Sequence, residues 1–166
     1  MNDFDALPAA ELEAELLAVC AAPAWGAAVT AGRPYPSREA LLHAAGALVR
    51  GLSWDEVLKG LSAHPRIGER AEGAAKEAAW SRREQSTAAS TADDATKAEL
   101  VAVNRAYEEK FGHVFLIFAS GRSQAEILAA AKQRLGNDEA AERTVVADQL
   151  ARIAVLRLER MLDELG

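Results

Sequence analysis

Four places in this chain carry the punctuation of a helix before any packing is considered. Ser37 precedes a run with Leu41, Leu42, Leu48 and Val49 facing inward, and Gly51 stops it. Ser53 and Ser123 each stand three residues ahead of a glutamate, Glu56 and Glu126, the spacing at which two side chains satisfy the first orphan N–H groups of a helix. Gly136-Asn137 closes one run and Asp138 caps the next. Composition points the same way: 38 of the 166 residues are alanine, and aromatics make up only 5%. Alanine loses no side-chain entropy in a helix, whereas a β-sandwich or barrel draws on β-branched and aromatic residues. The expected fold is all-α, a single-domain bundle of about seven to nine helices over residues 1–166, with one short extended apolar segment.

Between the caps, periodicity places the remaining elements. Leu12, Leu16, Leu17 and Val19 predict a first helix over 8–21, with Pro8 in its first turn and Pro23 ending it. Residues 25–31 read as a short helical turn, and Arg33-Pro34-Tyr35-Pro36 as extended chain. The Ser53 cap opens a short helix to Leu61. A loop over 62–68, a helix over 74–88 and a polar break over 89–92 come next, then a long helix over 93–110 that Phe111-Gly112 stops. Residues 113–120 form a nearly continuous apolar run, Val114 to Phe118, that reads as extended. The last helix extends to about residue 164, with Val145, Val146, Leu150, Ile153, Leu156 and Leu158 apolar.

Charge and cysteine content exclude several functions. Nineteen basic against 25 acidic side chains leave a net charge of −6, and no basic stripe with interleaved aromatics exists to hold a phosphate backbone. A single cysteine, Cys20, excludes a disulfide framework and a cysteine-rich zinc site, and it reads as a small buried hydrophobe. No apolar stretch approaches the roughly 20 residues of a membrane span, and the acidic Asn2-Asp3-Phe4-Asp5 start does not read as a signal peptide. The expectation is a soluble, cytoplasmic protein with no nucleic-acid or membrane partner. Dinucleotide, Walker, nucleophile-elbow and His-Glu-x-x-His patterns are all missing, and three scattered histidines advertise no metal site. An enzyme of this kind works without cofactor or metal, through side chains and backbone dipoles.

Three segments are unlike generic helix. In His64-Pro65-Arg66-Ile67-Gly68, proline confines the preceding residue to extended backbone, so the His64 ring is presented in one direction. Its plain alternative is a solvated capping loop; His43 and His113 read as structural. In Ser81-Arg82-Arg83-Glu84-Gln85, Ser81, Glu84 and Gln85 share one helix face and can address one ligand, although read alone the segment is a solvated polar face with Arg82 and Arg83 turned away. The third runs from Asn104-Arg105-Ala106-Tyr107 through Lys110-Phe111-Gly112-His113 to Gly121-Arg122-Ser123. Its extended apolar centre leaves backbone groups without helical partners, to be satisfied by a polar heterocycle or by another loop.

Taken together and in order, these segments resemble the 2-oxo-4-hydroxy-4-carboxy-5-ureidoimidazoline (OHCU) decarboxylase family, over most of the chain from Phe4 to Leu162. The resemblance implies an all-α, cofactor-free and usually dimeric enzyme that takes the last step from urate to S-allantoin. In that substrate the carboxylate sits beside a ring C=N bond, so electrons left by departing CO2 delocalise into the imine. The ring is the electron sink, and the enzyme has two tasks. One is holding the ring in alignment, worth up to roughly 7–11 kcal/mol in favourable cases. The other is proton delivery to one face, typically about 10²–10⁴-fold.

By the same resemblance, His64 is the catalytic proton donor and Glu84 its partner acid, hydrogen-bonded to the substrate hydroxyl. Pro65, Ser81, Arg82, Arg83 and Gln85 line the substrate pocket, with Gln85 on ring amide groups. Leu116, Ile117, Phe118, Ala119 and Ser120 offer backbone N–H and C=O to the ureido or hydantoin edges. Arg157 is the C-terminal site arginine, ahead of its neighbours Arg152 and Arg160. The chain ends Glu164-Leu165-Gly166 rather than in a Ser-Lys-Leu-type tripeptide, which fits a bacterial, cytoplasmic member. A fused transthyretin-like domain is not expected, and the hydroxyisourate hydrolase that makes the substrate is expected as a separate protein in transient contact. Two other readings stand beside this one: a decarboxylase of a related ureido-heterocycle, and a helical interaction module that keeps the fold without the chemistry.

Overall fold

The computed structural model describes residues 2–62 and 94–165. The expected loop at 62–68, helix at 74–88 and break at 89–92 therefore lie, apart from Ser62, outside the described residues. Among the described residues there are eight helices and no strand. They are α1 (Asn2–Ala6), α2 (Ala9–Val19), α3 (Pro23–Ala31), α4 (Arg38–Arg50), α5 (Trp54–Leu61), α6 (Asp94–Phe111), α7 (Gln124–Leu135) and α8 (Glu139–Leu165). The chain forms two compact units, Met1–Ala63 with Ala147–Gly166, and His64–Val146.

In the first unit the boundaries differ from expectation at three points. The helix expected over 8–21 is shorter, with Pro8 as the residue before its first turn and Cys20 already extended. Pro23 does not merely end a helix: it starts α3, because a proline at the first helical position gives up an N–H that has no partner there. The chain before Pro8 is helical too. Its five residues cannot hold a helix alone, and α1 is secured by Arg33, whose Nη1 donates to the carbonyls of Phe4, Asp5 and Leu7. Phe4 is buried and packs edge-on against Tyr35, ring centroids 6.3 Å apart.

The expected caps are present. Ser37 Oγ accepts from the Ala40 N–H, and Gly51 ends α4. The buried stripe of α4 is Leu41, Ala45, Gly46 and Val49, while Leu42 and Leu48 are half-buried, since the stripe is centred on the 41–45–49 row. Trp25 is fully buried and its Nε1 donates to the Ala45 carbonyl at 3.0 Å, which ties α3 to α4. Ser53 caps α5, but the reciprocal half of that box is not made. The Glu56 carboxylate instead accepts from the Ala24 N–H at the start of α3 and pairs with Lys59 at 2.7 Å. Cys20 is buried as expected, 3.4 Å from where a Cβ on Gly60 would stand. That site, also crowded by Leu150, admits only glycine without a shift.

The second unit is built on α6 and α7. Leu100, Tyr107, Phe115, Ile117, Ala119, Ile127, Leu128 and Ala131 form its buried cluster. Gly112 and Gly121, both at φ +79°, turn the chain at either end of the run between them, a backbone state that costs an L side chain energy. The Ser123–Glu126 box that opens α7 is complete in both directions. At the other end of α7, Lys110 Nζ reaches from α6 to the Leu135 and Asn137 carbonyls, at 2.6 and 2.9 Å. Asp138 Oδ1 accepts from the Ala141 N–H and starts α8.

Candidate functional site

His64, Pro65, Ser81, Arg82, Arg83, Glu84 and Gln85 lie outside the described residues, so the geometry available is that of the 116–120 run and of Arg157. The run is non-helical and unpaired with any strand, as its composition predicts. Phe115, Leu116, Ile117 and Ala119 are buried, and Phe118 and Ser120 half-buried. Three consecutive buried residues mean that both faces of the segment are covered by protein, which is why it reads as continuously apolar rather than alternating.

The question of what satisfies its backbone has a partial answer within the protein. The Leu116 carbonyl accepts from Arg134 Nη1 at 2.6 Å, and the Ala119 carbonyl from the Arg122 N–H at 3.0 Å. The Val114 carbonyl lies 3.0 Å from His113 Nδ1. At these oxygens the chain itself, rather than a heterocycle, supplies the partner. Just beyond the run, Gln124 is 6% exposed and its Oε1 has no hydrogen-bond partner among the described residues.

Arg134 belongs to a buried polar cluster that sequence reasoning did not single out. Its Nε and Nη2 donate to Glu142 Oε2 at 2.9 and 2.5 Å. Glu142 is wholly buried and also accepts from Tyr107 Oη and from Asn137 Nδ2, the latter at 3.1 Å. The guanidinium stacks over the Phe115 ring, 4.5 Å from its centroid. Burial, reinforced by the hydrogen bond to Glu142, pushes the Tyr107 phenol well above its usual range, so it stays a neutral donor. A signal for this cluster was present. Arg134 follows Ile127 and Ala131 on one stripe of α7, and Glu142 precedes Val146 and Leu150 on one stripe of α8. A charge in an apolar register marks a buried pair.

The three C-terminal arginines separate by burial. Arg152 is exposed and pairs with Asp148 at 3.0 Å, Arg160 is half-buried, and Arg157 is 1% exposed and engaged with a partner. A guanidinium buried on a stripe of Ile153, Ala154, Leu158 and Met161 is held there at a desolvation cost, which suits a group with a specific task.

A sequence model of the family described as OHCU decarboxylase matches residues 5–159. The chain belongs to the OHCU decarboxylase family. Among relatives of this OHCU decarboxylase family member, a 2-oxo-4-hydroxy-4-carboxy-5-ureidoimidazoline decarboxylase of Amia calva is 32% identical over 141 residues, 84% of this chain and 81% of that one. The uric acid degradation bifunctional protein TTL of Arabidopsis thaliana is 31% identical over 154 residues, 92% of this chain but 48% of its own length. The chain thus spans about half of that larger relative. A crystal structure of OHCU decarboxylase in the presence of (S)-allantoin shares the fold with a TM-score of 0.77 at 28% identity, over 90% of this chain and 97% of that one. The matched residues include parts of both compact units.

Proposed function

We propose that this chain is a carboxy-lyase that decarboxylates OHCU to S-allantoin in urate breakdown, as one domain over residues 1–166 and without a cofactor. The observation that carries the reading is the family match over 5–159, with His64 and Glu84 standing inside the motifs through which the sequence resembles the family. His64 delivers the proton to the carbon that CO2 leaves. Glu84 holds the substrate hydroxyl, and its negative charge beside the substrate carboxylate favours departure of CO2. Pro65, Ser81, Arg82, Arg83 and Gln85 line the pocket, residues 116–120 meet the ureido edge, and Arg157 binds the substrate as the buried arginine of the last helix. No helix of the described residues is long and apolar enough to cross a membrane. The reading extends to a cytoplasmic homodimer that receives its unstable substrate from hydroxyisourate hydrolase.

The test generates the substrate in place from urate with uricase and hydroxyisourate hydrolase and follows the circular dichroism of S-allantoin. Rapid appearance of one enantiomer, lost in His64→Ala, is the expected result. Racemic allantoin at the uncatalysed rate with wild-type protein would leave only the fold.

A further inference from the structure

The Arg134 guanidinium links parts of the second unit that are far apart in sequence. Two of its nitrogens face Glu142 on α8 and the third faces the Leu116 carbonyl, 18 positions back along the chain. A buried ion pair is a weak source of stability, because removing both charges from water costs about as much as their attraction returns. What such a pair supplies is direction. The guanidinium is a planar fork, so once Nε and Nη2 are seated on the carboxylate, Nη1 has one place to point. Tyr107 and Asn137 hold the carboxylate in turn, and the Phe115 ring lies against the flat of the guanidinium.

The consequence falls on the next peptide bond. The Leu116 carbonyl and the Ile117 N–H belong to one planar trans unit, so fixing the oxygen fixes the N–H on the opposite side. Rotating that plane would leave a buried cationic donor without its acceptor, a costly state.

We propose that Arg134, seated by Glu142 and Tyr107, is a positioning residue for the decarboxylation: by holding the Leu116 carbonyl it presets the Ile117 N–H as a donor to a carbonyl of the substrate. This rests on the reading that residues 116–120 meet the ureido-heterocycle. The cluster acts through the backbone and touches no reacting atom, so its effect falls on substrate binding more than on the chemical step.

The experiment measures KM and kcat for wild type, Tyr107→Phe, Glu142→Gln and Arg134→Lys. Leu128→Ala serves as a control that loosens the same apolar cluster without touching the polar one. All are assayed below the melting temperature of the least stable variant. Tyr107→Phe and Glu142→Gln are expected to raise KM by about three- to tenfold with kcat changed less. Arg134→Lys, a point donor that cannot serve both acceptors, raises it further. Leu128→Ala lowers Tm and leaves KM at the wild-type value. Should the exchanges at 134 and 142 prevent folding, Tyr107→Phe, which loses a single hydroxyl, decides alone. An unchanged KM in folded Tyr107→Phe, with wild type active, overturns the positioning role and leaves the decarboxylase reading standing. A wild-type protein without decarboxylase activity overturns both.

Discussion

Arg33 Nη1 stands 2.6 Å from the carbonyl oxygen of Leu7, and through that contact a residue after the third helix closes the end of the first. The same nitrogen is 3.1 Å from the Phe4 carbonyl and 3.2 Å from that of Asp5, while Nε returns to Thr30 at 3.2 Å. A cation at a helix C-terminus meets the negative end of the helix dipole and the carbonyls that lack intrahelical donors. Arg33→Ala is expected to destabilise the protein by about 1.5–3 kcal/mol, the range for hydrogen bonds to a charged group. Urea unfolding measures the loss, and hydrogen exchange of residues 2–7 should accelerate well before global unfolding. Exchange at wild-type rates there would show that α1 is held by other contacts.

Trp25 separates hydrogen bonding from volume at one buried position. Trp25→Phe keeps most of the ring and removes the Nε1 donor to Ala45, for an expected loss of about 0.5–1.5 kcal/mol. Trp25→Ala also opens a cavity and should cost about 3–5 kcal/mol. Equal losses in chemical denaturation would mean that the indole N–H, not the ring, carries the stability.

Asp148 ties a strand of charge on the first unit to acid stability. Partial burial pushes its carboxyl pKa up, but hydrogen bonds and charge from Arg50 and Arg152 outweigh that and leave it below the ordinary aspartate value of 3.8. A depressed folded-state pKa gives stability that is present above the unfolded pKa and is lost as pH falls through the folded one. The gap in urea midpoint between wild type and Asp148→Asn should therefore be constant above about pH 5 and close below about pH 4. A gap that does not narrow at all as the pH falls below about 4 would remove the ionic explanation.

Arginine identity in α8 offers a direct check on the proposed site. Arg157→Lys keeps the charge but loses the planar fork, and kcat/KM should fall by about tenfold or more. Arg152→Lys alters an exposed partner of Asp148 and should leave turnover unchanged. The reverse order, read from the same dichroism assay, would move the substrate-binding role away from Arg157.

Glu84→Gln tests the second carboxylate of the proposed pair. Removing its charge while keeping its shape should lower kcat by at least about tenfold, since a hydrogen bond to a charged partner is worth roughly 1.5–3 kcal/mol. Full activity in this variant would sink the idea that the Glu84 charge favours departure of CO2.

The helices were legible because their signals are local. Ser37, Ser123 with Glu126, and Asp138 act on N–H groups within their own first turn, so the cap is written where the helix begins. Ser53–Glu56 shows the limit of such reading. The serine half forms as expected, but the glutamate has a better use at the first turn of α3, a competitor 32 residues away. Pro23, locally a stop signal, is a start, because the same fixed φ that ends one helix suits the first turn of another. The α1 helix has no signal in the sequence, because five residues carry almost no periodicity and Arg33 holds its carbonyls from 28 positions further on.

By itself the sequence determined the all-α class, most described helix boundaries to within a few residues, the non-helical run before Ser120, and the family through ordered motifs. These depend on neighbours in the chain or on residue types in fixed order. Only the tertiary structure decided which long-range partners meet: Arg134 with Glu142, Tyr107 and Leu116, and Arg157 rather than Arg152 as the buried arginine. Burial depends on which stripe of a helix meets which neighbour, and desolvation then makes a charged side chain on that stripe find a partner. Neither the meeting nor the partner is a property of the local chain.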